Sequence, residues 1–147
     1  MSARPVRGAV LAFDFGEQRI GVAVGEIELA IPHALTVIAG EENDRRFAAI
    51  TELIAEWRPV QLVVGVASHA DGSEHETGRL SRRFGQRLTG RFSLPVDFVD
   101  ERLTSHAAAA LLRESGVRAD RRAALLDAAA AAEILRTWFE TPPKQTA

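Results

Sequence analysis

A chain of 147 residues, 46% hydrophobic and 26% charged, can bury one core and is too short for two ordinary domains. It contains no cysteine, which excludes disulfides, thiolate metal centres and a thiol nucleophile. A formal charge of −2 argues against a uniformly basic coat, and no apolar run is long enough to span a membrane, so the expectation is a soluble intracellular protein with no membrane partner.

In chain order, the apolar run from Ala9 to Phe13, ended by Asp14 and Gly16, reads as a strand buried on both faces and therefore central in a sheet. Asp14 then stands at the end of the most buried strand, where an uncompensated carboxylate costs several kcal/mol. Two readings follow: Asp14 caps the turn to Arg19 through its own backbone, or it is a metal ligand or a carboxylate near a phosphate. Ile20, Val22 and Val24 alternate with small residues, as in a second strand antiparallel to the first. A third extended segment, Leu29 to Ile38, contains Pro32 and suits a sheet edge. Asn43 or Asp44 is positioned to cap a helix marked by Phe47, Ile50, Ile54 and Trp57 and stopped by Pro59.

Leu62 to Val66 is a second continuous apolar strand, parallel to the first through a right-handed crossover. The loop from Ala67 to Ser73 at its C-terminal end carries Ser68, His69, Asp71 and Gly72, at the edge where α/β sheets bind ligands. A helix from about Glu74 to Gly90 buries Leu80, Phe84 and Leu88 and turns Arg79, Arg82, Arg83, Arg87 and Arg91 outward, either as a solvated face or as a phosphate-contact surface. Val96 to Val99 forms the last strand and runs into Asp100, Glu101 and Arg102. Thr104 or Ser105 caps a short Ala-rich helix closed by Gly116, and a final helix spans Arg121 to Phe139. Residues 1–7 and 141–147 are expected to be frayed tails of a single domain over 1–147.

This order predicts an α/β fold: a five-stranded mixed sheet of order 3-2-1-4-5 with helices on both faces. On the final helix, Asp127 shares a stripe with Ala130, Ala131, Ile134 and Trp138, so an acid sits on the face that packs against the sheet. Either it is a satisfied buried Asp, paired for example with Arg122, or it joins Asp14 and Glu101, which the topology brings to the same edge. Acids crowded together raise one another's pKa or demand a cation, and oxygen ligands select Mg²⁺ or Mn²⁺. Such sites hydrolyse phosphodiesters. Asp71 and His69 are candidates for a supporting metal ligand and for proton handling, although an Asp before Gly is more often a turn former.

The segments Asp14-Phe15-Gly16, Ile20-Gly21-Val22-Ala23-Val24-Gly25, Val63-Val64-Gly65, Asp71-Gly72-Ser73-Glu74, Asp100-Glu101-Arg102-Leu103-Thr104 and Asp127-Ala128-Ala129-Ala130-Ala131 resemble the successive motifs of the YqgF/RuvX family. The resemblance implies an RNase H-like fold and a metal-dependent nuclease, with Asp14, Glu101 and Asp127 as the catalytic, metal-binding carboxylates. It also implies a cytoplasmic protein whose substrate is structured RNA such as pre-16S rRNA, or branched DNA such as a Holliday junction. Arg79, Arg82, Arg83, Arg87 and Arg102 would hold the nucleic-acid backbone. Arg121 and Arg122 would replace basic residues that the family commonly carries just before the last Asp, where this chain has Ala123, Ala124 and Leu125. A homodimer would suit cleavage of a symmetric junction. Two other readings stay open: a non-catalytic nucleic-acid-binding module of ribosome assembly, and an actin-like nucleotide-binding protein, which would need a second domain to close over its ligand.

Overall fold

The alternation of side chains along the central strand decides where everything else packs. In the computed structural model, which describes residues 4–66, 76–101 and 119–141, strand β1 (Ala9–Phe15) directs Leu11 and Phe13 into one cluster and Val10 and Ala12 into another. Asp14 is therefore in phase with Val10 and Ala12. Strands β2 (Arg19–Glu26) and β3 (His33–Ala39) follow, then helix α1 (Asn43–Trp57), strand β4 (Gln61–Val66), helix α2 (Glu76–Phe92), strand β5 (Val96–Asp100) and helix α3 (Ala119–Glu140). The sheet has the order β3-β2-β1-β4-β5, with β1–β2 and β2–β3 antiparallel and β1–β4 and β4–β5 parallel, as the sequence pattern predicts.

Helices α1 and α2 cover the Leu11–Phe13 face through Phe47, Ile50, Phe84 and Leu88. Helix α3 covers the opposite face through Ala131, Ile134, Leu135 and Trp138, and Trp138 Nε1 donates to Asp97 Oδ2 at 2.8 Å. Among the described residues, no helix is long and apolar enough to cross a membrane.

The side of β2 that meets α3 carries Gly21, Ala23 and Gly25, and these small residues let the helix lie low on the sheet. Gly21 is the register partner of Asp14, and a Cβ there would collide with the Asp127 carbonyl. On the other side of β1, Gly65 follows Val64, the partner of Phe13, and a Cβ on it would meet the Ile134 side chain and stand 3.2 Å from Glu101 Cγ. Two glycines thus flank Asp14 and make the room that Asp127 and Glu101 use.

Several boundaries differ from those read in the sequence. The third strand starts at His33 and not at Leu29, because Pro32 lacks an N–H and Ala30 adopts a left-handed φ of 53°; Leu29 and Ile31 are left exposed at 63% and 53%. Helix α1 is capped by Glu42, without a side-chain hydrogen bond, and Asn43 is its first helical residue. Its end is made by Arg58, which takes the left-handed conformation and donates its backbone N–H to the Ile54 carbonyl at 2.8 Å, one residue before Pro59. Helix α2 continues two residues beyond Gly90 to Phe92, and α3 is already helical at Ala119, two residues before Arg121. The loop over 67–73 and the short helix between 104 and 116 lie outside the described residues.

Replacing Gly21 with Ala is expected to lower stability by about 1–3 kcal/mol, the usual cost of overpacking, because the obstruction is helix backbone and cannot rotate away. Gly90→Ala, where the added methyl meets nothing within 4 Å, is expected to be neutral or stabilising by up to about 1 kcal/mol. Urea unfolding of the two variants beside the parent checks both.

Candidate active site

Three of the sequence-predicted residues meet at the C-terminal edge of the central strands. Asp14 ends the buried part of β1, Glu101 follows β5 in phase with Asp97 and Val99 on the α3 side, and Asp127 comes down from α3 over Gly21. The Asp14 and Glu101 carboxyl groups share a hydrogen bond. Burial, then the Glu101 charge and that hydrogen bond, then the Asp127 charge push the Asp14 carboxyl up to about 8. The reading of Asp14 as a turn cap is thereby replaced: its partner is another acid.

Asp127 is satisfied differently from expectation. Among the described residues its partner is Arg19: Arg19 Nε donates to Asp127 Oδ2 at 2.5 Å, with the two side chains 46% and 25% exposed. Among the described residues, no three Asp, Glu, His or Cys side chains form a ready-made metal cage. The arrangement is an acid pair with a third carboxylate alongside, neutralised by an arginine at the rim. Arg19 lies 108 residues before Asp127 and carries no local signature of this role.

The row of arginines on α2 does not act as one face. Arg79 pairs with Glu76 at 3.2 Å, Arg82 lies over the Phe98 ring at 5.1 Å and Arg91 over Phe47 at 4.5 Å. Arg83 and Arg87 instead line a cavity of about 390 Å³ at the end of β1, together with Phe15, Glu17 and Arg46. Arg46 was not singled out by its sequence context, yet it is only 4% exposed: it donates to the Glu17 carbonyl at 2.9 Å and to the Gly16 carbonyl, and stacks on Phe15. It thereby fixes the turn that follows Asp14. Asp71, Arg102, His69, His75 and His106 lie outside the described residues, as do the side chains of Arg121 and Arg122, whose backbone belongs to the first turn of α3.

The strand order, the helices on both faces and the acids at this edge define an RNase H-like fold. The chain resembles "T. thermophilus RuvC in complex with Holliday junction substrate" with a TM-score of 0.57 at 18% identity, covering 90% of this chain and 94% of that one. A further Thermus thermophilus RuvC structure gives 0.51 at 16% identity over 89% and 93%. The model of the family described as RuvX, Holliday junction resolvase, matches residues 8–141, and the chain belongs to that family. Its curated relatives include proteins of Dechloromonas aromatica, 60% identical over 92% of both chains, and of Chromobacterium violaceum, 58% identical over 90% of this chain and 97% of the relative. Another, from Neisseria gonorrhoeae, is 52% identical over 95% and 92%. Each carries the name "Putative pre-16S rRNA nuclease".

A carboxyl whose pKa rises from 3.8 to about 8 on folding favours the folded protein fully below pH 4 and loses that contribution as pH rises through 8. In chelator, Asp14→Asn is therefore expected to be more stable than the parent at pH 8, by several kcal/mol at most, with the difference shrinking toward pH 5. Melting curves of both proteins across that range measure it.

Proposed function

We propose that this chain is a single RNase H-like nuclease domain that hydrolyses phosphodiester bonds of structured nucleic acid in the cytoplasm, with a divalent cation, Mg²⁺ or Mn²⁺, held by Asp14, Glu101 and Asp127. Membership of the RuvX family and the nuclease names of its relatives support the reaction class. The observation that carries the assignment to residues is the hydrogen-bonded Asp14–Glu101 pair with the Asp127 charge beside it. A protonated Asp14 hydrogen-bonded to Glu101 under a helix presents the oxygen donors that a hard cation prefers. That donor set fits Mg²⁺ or Mn²⁺.

In this reading Asp14, Glu101 and Asp127 would hold the ion at the end of the central strand, Asp14 as the carboxylate. When bound, the ion supplies Lewis-acid polarisation of the phosphate and eases deprotonation of water. Arg46, by holding the Gly16 and Glu17 carbonyls, keeps the turn beyond Asp14 in place. Arg83 and Arg87 grip the backbone flanking the reacting phosphate, while Arg79 and Arg82 are already engaged with Glu76 and Phe98. Asp71 as a supporting ligand and Arg102, Arg121 and Arg122 as backbone contacts belong to the same proposal.

The substrate we favour is the precursor end of 16S rRNA, the class named for the relatives. A four-way DNA junction is the second candidate, since a RuvC of the same fold is seen with one. Cutting both strands of a junction would call for a homodimer.

The deciding experiment compares the parent and Asp14→Asn on pre-16S rRNA fragments and on four-way DNA junctions, with Mg²⁺, Mn²⁺ or chelator. Cleavage by the parent alone, and only with a divalent ion, is expected. Binding without cleavage in every condition would replace the proposal with a non-catalytic assembly module. Cleavage surviving the substitution would place the chemistry elsewhere. A second outcome concerns grip: Arg83→Ala and Arg87→Ala should each weaken binding and reduce the slope of log K against log salt by about one.

A further inference from the structure

Arg19 is the first residue of β2, in phase with Gly21 and Ala23, so its side chain rises on the α3 side of the sheet beside the acids. Because Gly21 has no side chain, α3 comes down until the Asp127 carbonyl fills that space, which sets the Asp127 carboxylate against the guanidinium two residues away on β2. The contact is close, at 2.5 Å, but Arg19 is 46% exposed and Asp127 25% exposed. Ion pairs with this much solvent contact contribute little to stability, so the pair can exchange partners readily. Each group has an evident alternative. Asp127 already adds its charge to that of Glu101 at Asp14 and would serve a cation there, while the half-exposed Arg19 guanidinium is a donor that phosphate oxygens accept from.

We propose that Arg19 is a positioning residue: it holds the Asp127 carboxylate in an ion pair and releases it to complete the divalent-cation site when a nucleic-acid phosphate takes over the guanidinium. The identities of cation and phosphate rest on the nuclease reading; the exchange itself rests on the ion pair. It accounts for the absence of a ready three-acid cage among the described residues. By linkage, phosphate binding then tightens cation binding and the reverse by the same factor. The cation site is completed only when there is something to cut.

The test is a pair of double-mutant cycles on the full chain that need no cleavage. In the first, Mn²⁺ binding is measured by calorimetry for the parent, Arg19→Gln, Asp127→Asn and the double variant. Arg19→Gln is expected to bind Mn²⁺ about fivefold tighter in the parent background and to gain less than about twofold in the Asp127→Asn background. Equal gains in both backgrounds would mean that Arg19 acts only as a distant charge, and no gain in either would mean that it does not restrain Asp127; both results overturn the proposal. Should Arg19→Gln fail to fold, Arg19→Met, which keeps the aliphatic stem and removes the guanidinium, is read in the same cycle by the same criterion.

In the second cycle, fluorescence anisotropy follows a labelled four-way DNA junction in chelator. Asp127→Asn should tighten binding a few-fold by freeing Arg19, and this gain should vanish with Arg19→Gln. A gain that persists without Arg19 contradicts the exchange. A junction that none of the four proteins binds would count against the nucleic-acid reading itself, while the Mn²⁺ cycle would still decide whether Arg19 restrains Asp127.

Discussion

Asp14 and Glu101 are held in one hydrogen bond beneath a helix, at the end of the strand in the middle of the sheet. Folding gains nothing from such a pair: one carboxyl must keep its proton near neutral pH, and a third acid is brought alongside. The chain nonetheless spends three structural devices on it. Gly21 and Gly65 leave out the side chains that would separate the acids, and Arg46 is buried to hold the following turn by its carbonyls. A costly arrangement supported from several directions is the mark of a site kept for binding or chemistry.

The two faces of the sheet divide the labour. The α1–α2 face is built from large interlocking side chains: Phe13 meets Phe84 edge-on at 5.8 Å, with Phe15 at 4.9 Å and Phe47 at 6.0 Å from the same ring. That cluster makes β1 a rigid rod. The α3 face uses alanine and glycine instead, so that helix backbone approaches strand backbone and an acid on the helix reaches an acid on the strand. At the far end of α3, Arg4 donates to the Trp138 and Thr141 carbonyls, each at 2.8 Å, and lies over the Trp138 ring. The helix carrying Asp127 is thus fastened to the chain's first described residues.

Much of this can be read from the residues alone because the signals are local. Continuous apolar runs mark β1 and β4, large and small residues alternate along β2, and an acid interrupts the small-residue stripe of the last helix. Together these determine the sheet order and the three acids. What escapes the sequence is long-range pairing. Arg19 and Asp127 are 108 residues apart, and nothing in helical spacing points from Asp127 to Arg19. The arginines of α2 look equivalent until Phe98 from β5 and Phe47 from α1 take two of them out of the row. Likewise the start of β3 depended on Pro32, whose missing N–H outweighed the apolar residues before it.

Crystals grown with Mn²⁺ and examined by anomalous scattering test the central claim most directly. The expected result is a manganese peak bonded to the carboxylates of Asp14 and Glu101, with the hydrogen bond between them replaced by the ion. Manganese bound elsewhere, with Asp14 and Glu101 still hydrogen-bonded to each other, would contradict the account.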